Sequence, residues 1–245
     1  MNNINEYLLE AGWTYDNGCT CDEEAELVKI CEEIKSLKDA NNLDINMREK
    51  YALEIYNIIS FSLTSVDSRA DWISCSYHNS PRLKKLIRFL DEAQLCFYRK
   101  YYTGSLALLF ITLEKYLRDL YGWIPGSPDP TFSNLKNSVH NLPNTLKADT
   151  VFKILDNVYS RYDSLNPSLF YFNRHGLLHG LNREEMYDEM NCARLFNLFN
   201  ILCTAENVNR TAWGDNLELL NYRYDIYRKC SSDKLEGLLI RVDYT

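Results

Sequence analysis

Two histidines and an arginine lie within one eight-residue segment of this chain, and their types suit chemistry on a phosphate group. The segment reads NRHGLLHG over residues 173–180 and holds two of the four histidines in the sequence. Arginine carries a permanent positive charge on a planar group whose N–H donors match phosphate oxygens. Histidine can accept and release a proton near neutral pH. Together these side chains form a minimal set of groups for cleaving a phosphodiester without a metal ion.

The spacing of the arginine and the second histidine adds a family resemblance. Arg174 and His179 are separated by four residues, with a polar residue directly after the arginine. This pattern resembles the R-x4-6-H motif of the HEPN superfamily, and the whole segment 173–180 resembles the HEPN variants found in abortive-infection proteins. Upstream, residues 105–118 resemble the long apolar helix of the same domains, including its embedded glutamate, Glu114.

The resemblance covers residues 82–212 and implies a helical, usually dimeric domain. Many HEPN proteins are RNA endonucleases of toxin–antitoxin and antiviral defence systems. Their site forms at a two-fold interface, to which each subunit contributes one arginine and one histidine. By this resemblance His179 transfers protons, while Arg174 binds the phosphate and stabilises the charge of the transition state. HEPN toxins silenced by nucleotidylation carry a tyrosine two residues after the motif histidine. Leu181 stands there in this chain, which favours the abortive-infection type.

Three further residues are candidates for supporting roles. His175 shares a helix face with His179 if the segment is a regular helix, so it would hold the substrate or orient the second histidine. Asn173 would cap the helix or bind phosphate. Glu114 stands in an otherwise apolar stretch, where a buried carboxylate needs a partner, and Arg174 can serve as that partner.

Each of these residues also has a structural interpretation. Arg174 and His179 would then belong to an ordinary polar helix face, or to a salt bridge with Glu114. The histidine pair has a spacing that zinc ligands use, but Gly176 stands where the HExxH motif has its glutamate. We therefore predict no metal and no cofactor. For the aromatic run at residues 170–172, packing is favoured over stacking on RNA bases.

Cysteine usage and the N-terminal sequence predict a cytoplasmic protein. Among the eight cysteines, Cys19 and Cys21 form the only close pair, and no second pair follows at zinc-finger spacing. We expect reduced thiols. The first residues lack the basic start and apolar core of a signal peptide, and no run of 18 apolar residues occurs. The sequence thus predicts no membrane partner.

The net charge of −7 is unusual for a protein that binds RNA, but it is unevenly distributed. Residues 1–50 carry twelve acids against five bases, which accounts for the whole excess. Residues 81–118 carry eight bases against three acids, a local charge of +5. A basic surface there could contact phosphates. The alternative is a solvated helix face, and the acidic N-terminal region would be a sensor, a docking surface or a mask over the basic site.

The pattern of apolar residues predicts an all-α fold. A HEPN-like helical bundle over residues 82–212 would follow an acidic N-terminal helical segment, 1–81, and precede a C-terminal tail with one helix, 213–245. Residues 66–81 contain turn formers and are the predicted boundary. Helical periodicity marks the segments 22–38, 46–65, 82–123 with a bend or break near 101–104, 147–163, 184–206 and 217–228. Four prolines over residues 124–146 predict a loop with one short helix.

The sequence therefore predicts a homodimeric, metal-independent endoribonuclease of a bacterial defence or toxin system, with RNA as substrate and an antitoxin or defence protein as a candidate partner. The alternative is a non-catalytic HEPN-like module that dimerises or binds a nucleotide. The two hypotheses differ at Arg174 and His179. In an enzyme these side chains converge on an open cleft, whereas in a scaffold they are buried in a paired network.

Overall fold

The computed structural model of the protein describes residues 4–15, 20–159, 174, 188–206 and 216–232. All regular structure within these ranges is helical and no strand occurs in them, so the predicted all-α class is confirmed. The α-helices in the described ranges are α1 (Ile4–Glu10), α2 (Cys21–Asp39), α3 (Ile45–Thr64), α4 (Val66–Asp71), α5 (Ile87–Tyr98), α6 (Tyr102–Tyr121), α7 (Phe132–Asn137), α8 (Thr145–Val158), α9 (Glu189–Ala205) and α10 (Leu217–Ser232).

The helices near the N-terminus begin at capping residues that the sequence supplies. At α2, Thr20 accepts a hydrogen bond from the backbone N–H of Glu23, and the Glu23 carboxylate accepts one from the Thr20 backbone N–H, at 2.6 Å. This reciprocal capping box satisfies two donors that the first turn leaves open. At α3, Asp44 accepts a hydrogen bond from the Met47 backbone N–H at 2.9 Å. The helices predicted over residues 22–38 and 46–65 are both present.

Helix α9 connects two clusters of buried apolar side chains. The main core contains side chains from α4–α6 and α8–α10 together with residues between α6 and α8, and the N-terminal core contains side chains from α1–α3. Ala193 of α9 belongs to the N-terminal core, whereas Phe196 and Phe199 belong to the main core. Polar contacts add to this junction, because Asn197 donates a 2.9 Å hydrogen bond to the Thr14 carbonyl. Buried along almost its whole length, α9 is the element against which both groups of helices pack.

Residues 66–81, predicted as a boundary, are largely helical. Ser65 caps α4 by accepting from the Ser68 backbone N–H, and the chain continues through a π-helical turn, Trp72–Ser76. Ala70 and Tyr77 are fully buried in the main core. The segment therefore packs with elements that follow residue 81, and the domain boundary at that position stays a prediction.

A break separates α5 from α6 in the region where the sequence predicted a bend or a break. Lys100 adopts a left-handed backbone conformation with φ of 61°, and the Tyr101 backbone N–H donates to the Cys96 carbonyl at 2.9 Å. This geometry ends α5 and allows α6 to begin at Tyr102. Gly104 lies inside α6, where an added β-carbon would be 3.5 Å from the Cys96 sulfur. The two helices pack against each other and present α6 to the candidate site.

The C-terminal helix α10 is joined to α5 by a buried network of polar groups. Arg223 contacts both carboxylate oxygens of Asp91, at 3.1 and 3.3 Å, and the Tyr227 hydroxyl donates to the same carboxylate. The helix predicted over residues 217–228 is thus present and part of the main core. None of the helices in the described ranges is both long and apolar enough to cross a membrane.

Candidate functional site

Helix α6 places Glu114 at the border between the core and the surface. Neighbouring positions Leu113 and Leu117 are fully buried, which fixes that side of the helix against the main core. The side chain of Glu114 is 27% exposed. The helix ends at Gly122, whose φ of 82° allows the left-handed turn that closes it. Glu114 is therefore held on a rigid element, with its carboxylate facing partly into solvent.

Arg174 forms an ion pair with Glu114 across about sixty residues of sequence. Its Nη2 atom lies 2.5 Å from Oε2 of Glu114, and its side chain is 23% exposed. A charge-assisted hydrogen bond of this length holds the guanidinium in place. The contact that the sequence suggested between these two residues is present in the structure. Both partners are half-buried, whereas the apolar stretch around Glu114 predicted a buried carboxylate.

A second arginine contacts the other oxygen of the same carboxylate. Arg118, one turn after Glu114, donates from Nη2 to Oε1 of Glu114 at 3.2 Å and from Nη1 to Asp129 at 2.8 Å. Its guanidinium also lies over the ring of Trp123, 5.0 Å from the ring centre. The hydrogen bond to Asp129 raises the pKa of Arg118, with a further contribution from Glu114. Glu114 thus bridges two guanidinium groups.

An aromatic pair forms one wall of this cluster. Tyr159 follows the last turn of α8, and its ring stacks on Phe132 with ring centres 3.7 Å apart and an interplanar angle of 15°. The Arg174 guanidinium lies 5.7 Å from the centre of the Tyr159 ring. Burial raises the pKa of Tyr159 well above its usual value. At neutral pH the hydroxyl is therefore uncharged and can donate a hydrogen bond.

Three buried donors around this cluster have no hydrogen-bond acceptor in the part of the chain that the structure describes. They are Nε of Arg174, the hydroxyl of Tyr159 and Nε1 of Trp123. Most buried polar groups in proteins are hydrogen-bonded, and each buried donor without an acceptor costs about 1–3 kcal/mol. The cluster thus contains two guanidinium groups, whose charges Glu114 and Asp129 balance, together with donors that have no acceptor among the described residues. Such a set of groups can bind the oxygens of an anion.

Three of the predicted site residues, Asn173, His175 and His179, lie outside the described residues, as does the aromatic run at 170–172. The predicted placement of His179 beside Arg174 therefore stays a prediction. Of the five site residues predicted from sequence, the structure brings together Arg174 and Glu114. Within the described ranges, no three histidine, cysteine, aspartate or glutamate side chains form a group suited to a metal ion.

Four of the eight bases in the stretch at residues 81–118, Arg82, Lys85, Arg88 and Arg118, form ion pairs with acids. Arg82 contacts Glu206 at 2.8 Å, and Lys85 contacts Asp119 at 3.1 Å. Both acids lie outside residues 81–118, so they do not enter the local charge of +5. Arg88 pairs with an acid on its own helix, four residues away. These ion pairs reduce the local positive charge and favour the interpretation of the stretch as a solvated helix face.

Sequence reasoning did not single out Arg118, Tyr159, Phe132 and Trp123 as members of the site. For Arg118 a signal existed, because it lies four residues after Glu114, the spacing at which helical side chains of opposite charge pair. No such signal links the three aromatic residues. They come from the end of α8, the start of α7 and the loop after α6, and only the tertiary fold brings them to the arginines.

The chain matches no protein-family model, no curated protein and no solved structure. The HEPN resemblance therefore stays a prediction that rests on residues 105–118 and 173–180. The observed contact between Glu114 and Arg174 joins these two segments in space.

Proposed function

We propose that the protein is a metal-independent endoribonuclease of a bacterial defence or toxin system, active in the cytoplasm as a homodimer with a composite Arg/His site. One observation carries most weight in support. Glu114 holds the guanidinium groups of Arg174 and Arg118 together at a partly exposed surface, and three buried donors of the same cluster have no acceptor among the described residues. This arrangement suits a phosphodiester, whose charge increases in the transition state of cleavage.

The proposed reaction uses the 2′-hydroxyl of the RNA as its nucleophile. His179 of one subunit removes the proton from this hydroxyl, the 2′-oxygen attacks phosphorus, and the bond from phosphorus to the 5′-oxygen breaks. The same histidine of the second subunit protonates the departing 5′-oxygen. The products are a 2′,3′-cyclic phosphate and a 5′-hydroxyl, and no metal ion or redox step is needed.

Arg174 stabilises the negative charge that develops on the non-bridging oxygens. Glu114 orients its guanidinium through the 2.5 Å hydrogen bond. Arg118, which contacts Glu114 and Asp129, keeps the carboxylate in place from its other side. His175 and Asn173 retain their proposed supporting roles, in holding the substrate and binding phosphate.

The test is an RNA cleavage assay in EDTA with wild-type protein, Arg174→Ala and His179→Ala. We expect wild-type cleavage and a loss of at least about a hundredfold in each variant, since acid–base catalysis by His179 contributes about 10²–10⁴ and a charge-stabilising donor such as Arg174 about 10²–10³. Arg88→Ala is a matched control because Arg88 forms an exposed ion pair with Glu92. It should leave cleavage unchanged. Equal cleavage by all four proteins would refute the assignment of these residues.

A second function, a non-catalytic dimeric module that binds a nucleotide or a partner protein, is favoured by one observation. Arg174 is already paired with Glu114, and a paired network is what a scaffold requires. The cleavage assay separates the two functions when it is combined with a measurement of molar mass by light scattering. A folded dimer that binds nucleotide in EDTA and leaves RNA intact would support the module. Metal-free cleavage that requires Arg174 would support the enzyme.

A further inference from the structure

The hydroxyl of Tyr159 differs from that of every other described tyrosine whose hydroxyl is buried. Within the described residues it alone among buried tyrosine hydroxyls lacks a hydrogen-bond partner. The partners of the others include carboxylates, an amide and a backbone carbonyl. The partly or fully buried tyrosine hydroxyls with such partners are those of Tyr51, Tyr77, Tyr98, Tyr116 and Tyr227. Because the fold supplies a partner to each of these tyrosine hydroxyls, the exception at Tyr159 needs a cause.

The position of the Tyr159 ring is fixed from two sides. Phe132 stacks on it at 3.7 Å between ring centres, and the Arg174 guanidinium lies 5.7 Å from its centre. Burial raises the pKa of Tyr159 most, and the charges of Arg174 and Glu114 shift that pKa in opposite directions. The charges of both groups therefore reach the phenol. The hydroxyl belongs to the same cluster as the ion pair.

The unused groups of this cluster include N–H donors that cannot act as acceptors. Arginine Nε and tryptophan Nε1 only donate hydrogen bonds, and a neutral tyrosine hydroxyl can donate one. A ligand that completes the cluster must therefore supply oxygen acceptors. Guanidinium donors form their strongest hydrogen bonds with acceptors that carry negative charge. A phosphate group of RNA has both properties, and the partly exposed side chains of Arg174 and Glu114 mark the side from which it approaches.

We propose that the Tyr159 hydroxyl donates a hydrogen bond to a phosphate oxygen of the RNA, next to the oxygen bound by Arg174, which makes Tyr159 a phosphate-binding residue of the site. This inference rests on the proposed function, because it takes RNA as the ligand. It adds a residue that the R-x4-6-H pattern does not contain. The stacked Phe132 ring then serves to hold the phenol in position.

The test removes the hydroxyl alone, with Tyr159→Phe, and measures binding of a fluorescent 2′-O-methyl RNA. This probe keeps its phosphates but has no free 2′-hydroxyl, so it cannot be cleaved by the proposed reaction. We expect affinity to fall about tenfold, as for one lost hydrogen bond to a charged group. Thermal stability should stay the same or rise, because the hydroxyl has no acceptor among the described residues.

Tyr98→Phe is the matched control. Its hydroxyl donates to the Thr64 carbonyl at 3.1 Å, and no arginine–carboxylate pair of the site contacts it. This variant should lose stability and keep the affinity of wild type for the RNA. A second probe with uncharged methylphosphonate linkages tests whether the phosphate is the group recognised. With this probe, wild type and Tyr159→Phe should have the same affinity.

Unchanged affinity of Tyr159→Phe would overturn the inference, as would failure of wild-type protein to bind the probe. A difference that persists on methylphosphonate RNA would also overturn it, because the hydroxyl would then contact a base. These outcomes can be distinguished from a failure of the proposed nuclease function. Binding that depends on Tyr159 without any cleavage would refute the nuclease and keep this inference. Cleavage that depends on Arg174, together with unchanged binding by Tyr159→Phe, would support the nuclease and refute this inference.

Discussion

The buried cluster of Arg223, Asp91 and Tyr227 contains the same chemical groups as the cluster that surrounds Arg174. In the buried cluster, Arg223 contacts both oxygens of Asp91 and also the Ser74 hydroxyl, at 3.2 Å, and Tyr227 donates to Asp91. The side chains of Arg223 and Asp91 are only 8% and 5% exposed.

In the cluster of Arg174, Glu114 and Tyr159, fewer of the polar groups form hydrogen bonds. Arg174 contacts one oxygen of Glu114, its Nε atom has no acceptor in the described part of the chain, and the same holds for the Tyr159 hydroxyl. Its charged side chains are about a quarter exposed. The difference suggests separate roles. A saturated interior network stabilises one packing of the helices, whereas a cluster at the border of the core that contains buried donors without an acceptor is the better candidate for a ligand site.

The largest expected effect concerns stability. Asp91→Ala leaves Arg223 buried without its carboxylate and should lower the free energy of unfolding by about 3–5 kcal/mol. Urea denaturation of the purified variant measures this change. Asp119→Ala is the control, because Asp119 is 43% exposed and pairs with Lys85. It should cost at most about 1 kcal/mol. Equal losses in the two variants would remove the distinction between saturated interior networks and surface pairs.

The second expected effect separates binding from catalysis at Glu114. Glu114→Gln removes a negative charge between Arg118 and Arg174, so affinity for the uncleavable RNA should rise by a few fold at low salt. The rate of cleavage at saturating RNA should fall about tenfold or more, since Arg174 loses the hydrogen bond that orients it. Stability should change by at most about 1 kcal/mol. A loss of stability like that of Asp91→Ala would show that Glu114 is a structural residue.

The smallest expected effect appears at alkaline pH. Burial raises the pKa of both Tyr159 and Tyr227, and Asp91 adds to the shift at Tyr227. Above pH 10.0, the usual pKa of a tyrosine, the unfolded chain loses phenolic protons that the folded protein keeps. Stability should therefore fall as pH rises, by about 1.4 kcal/mol per pH unit for each such tyrosine.

Stability curves of Tyr159→Phe and Tyr227→Phe between neutral pH and pH 11 test this effect. Each substitution should make the loss of stability per pH unit smaller by the contribution of one tyrosine. Tyr227→Phe should also lower stability at neutral pH, where it loses the hydrogen bond to Asp91. Tyr159→Phe should not. A neutral-pH loss of the same size in both variants would contradict the contrast between the clusters.

The sequence predicted the helical class and the position of most helices because apolar residues recur at helical spacing over long segments. It was less accurate where the local signal and the tertiary structure differ. The bend or break predicted near residues 101–104 is a break, but the left-handed residue that ends α5 is Lys100, and Gly104 lies inside α6. Ser and Asp residues at 66–81 suggested turns. In the structure Ser65 caps a helix that carries the fully buried Arg69.

The site could be anticipated only in part, for a physical reason. A carboxylate in an apolar helix needs a partner, so Arg174 could be named from the sequence as a candidate partner of Glu114. The aromatic wall did not follow, because stacking between Phe132 and Tyr159 depends on how α7 and α8 pack. A sequence likewise cannot show which donors lack an acceptor, because that depends on where the fold places the acceptors.

The most direct test of the central claim is cleavage, in EDTA, of an RNA that carries a single 2′-deoxy nucleotide at a mapped cleavage position. We predict that wild-type protein cleaves the unmodified RNA to a 2′,3′-cyclic phosphate and leaves the 2′-deoxy linkage intact, because the nucleophile is missing there. Cleavage at the 2′-deoxy linkage, or cleavage that occurs only when Mg²⁺ is added, would contradict a metal-free site built on Arg174 and His179.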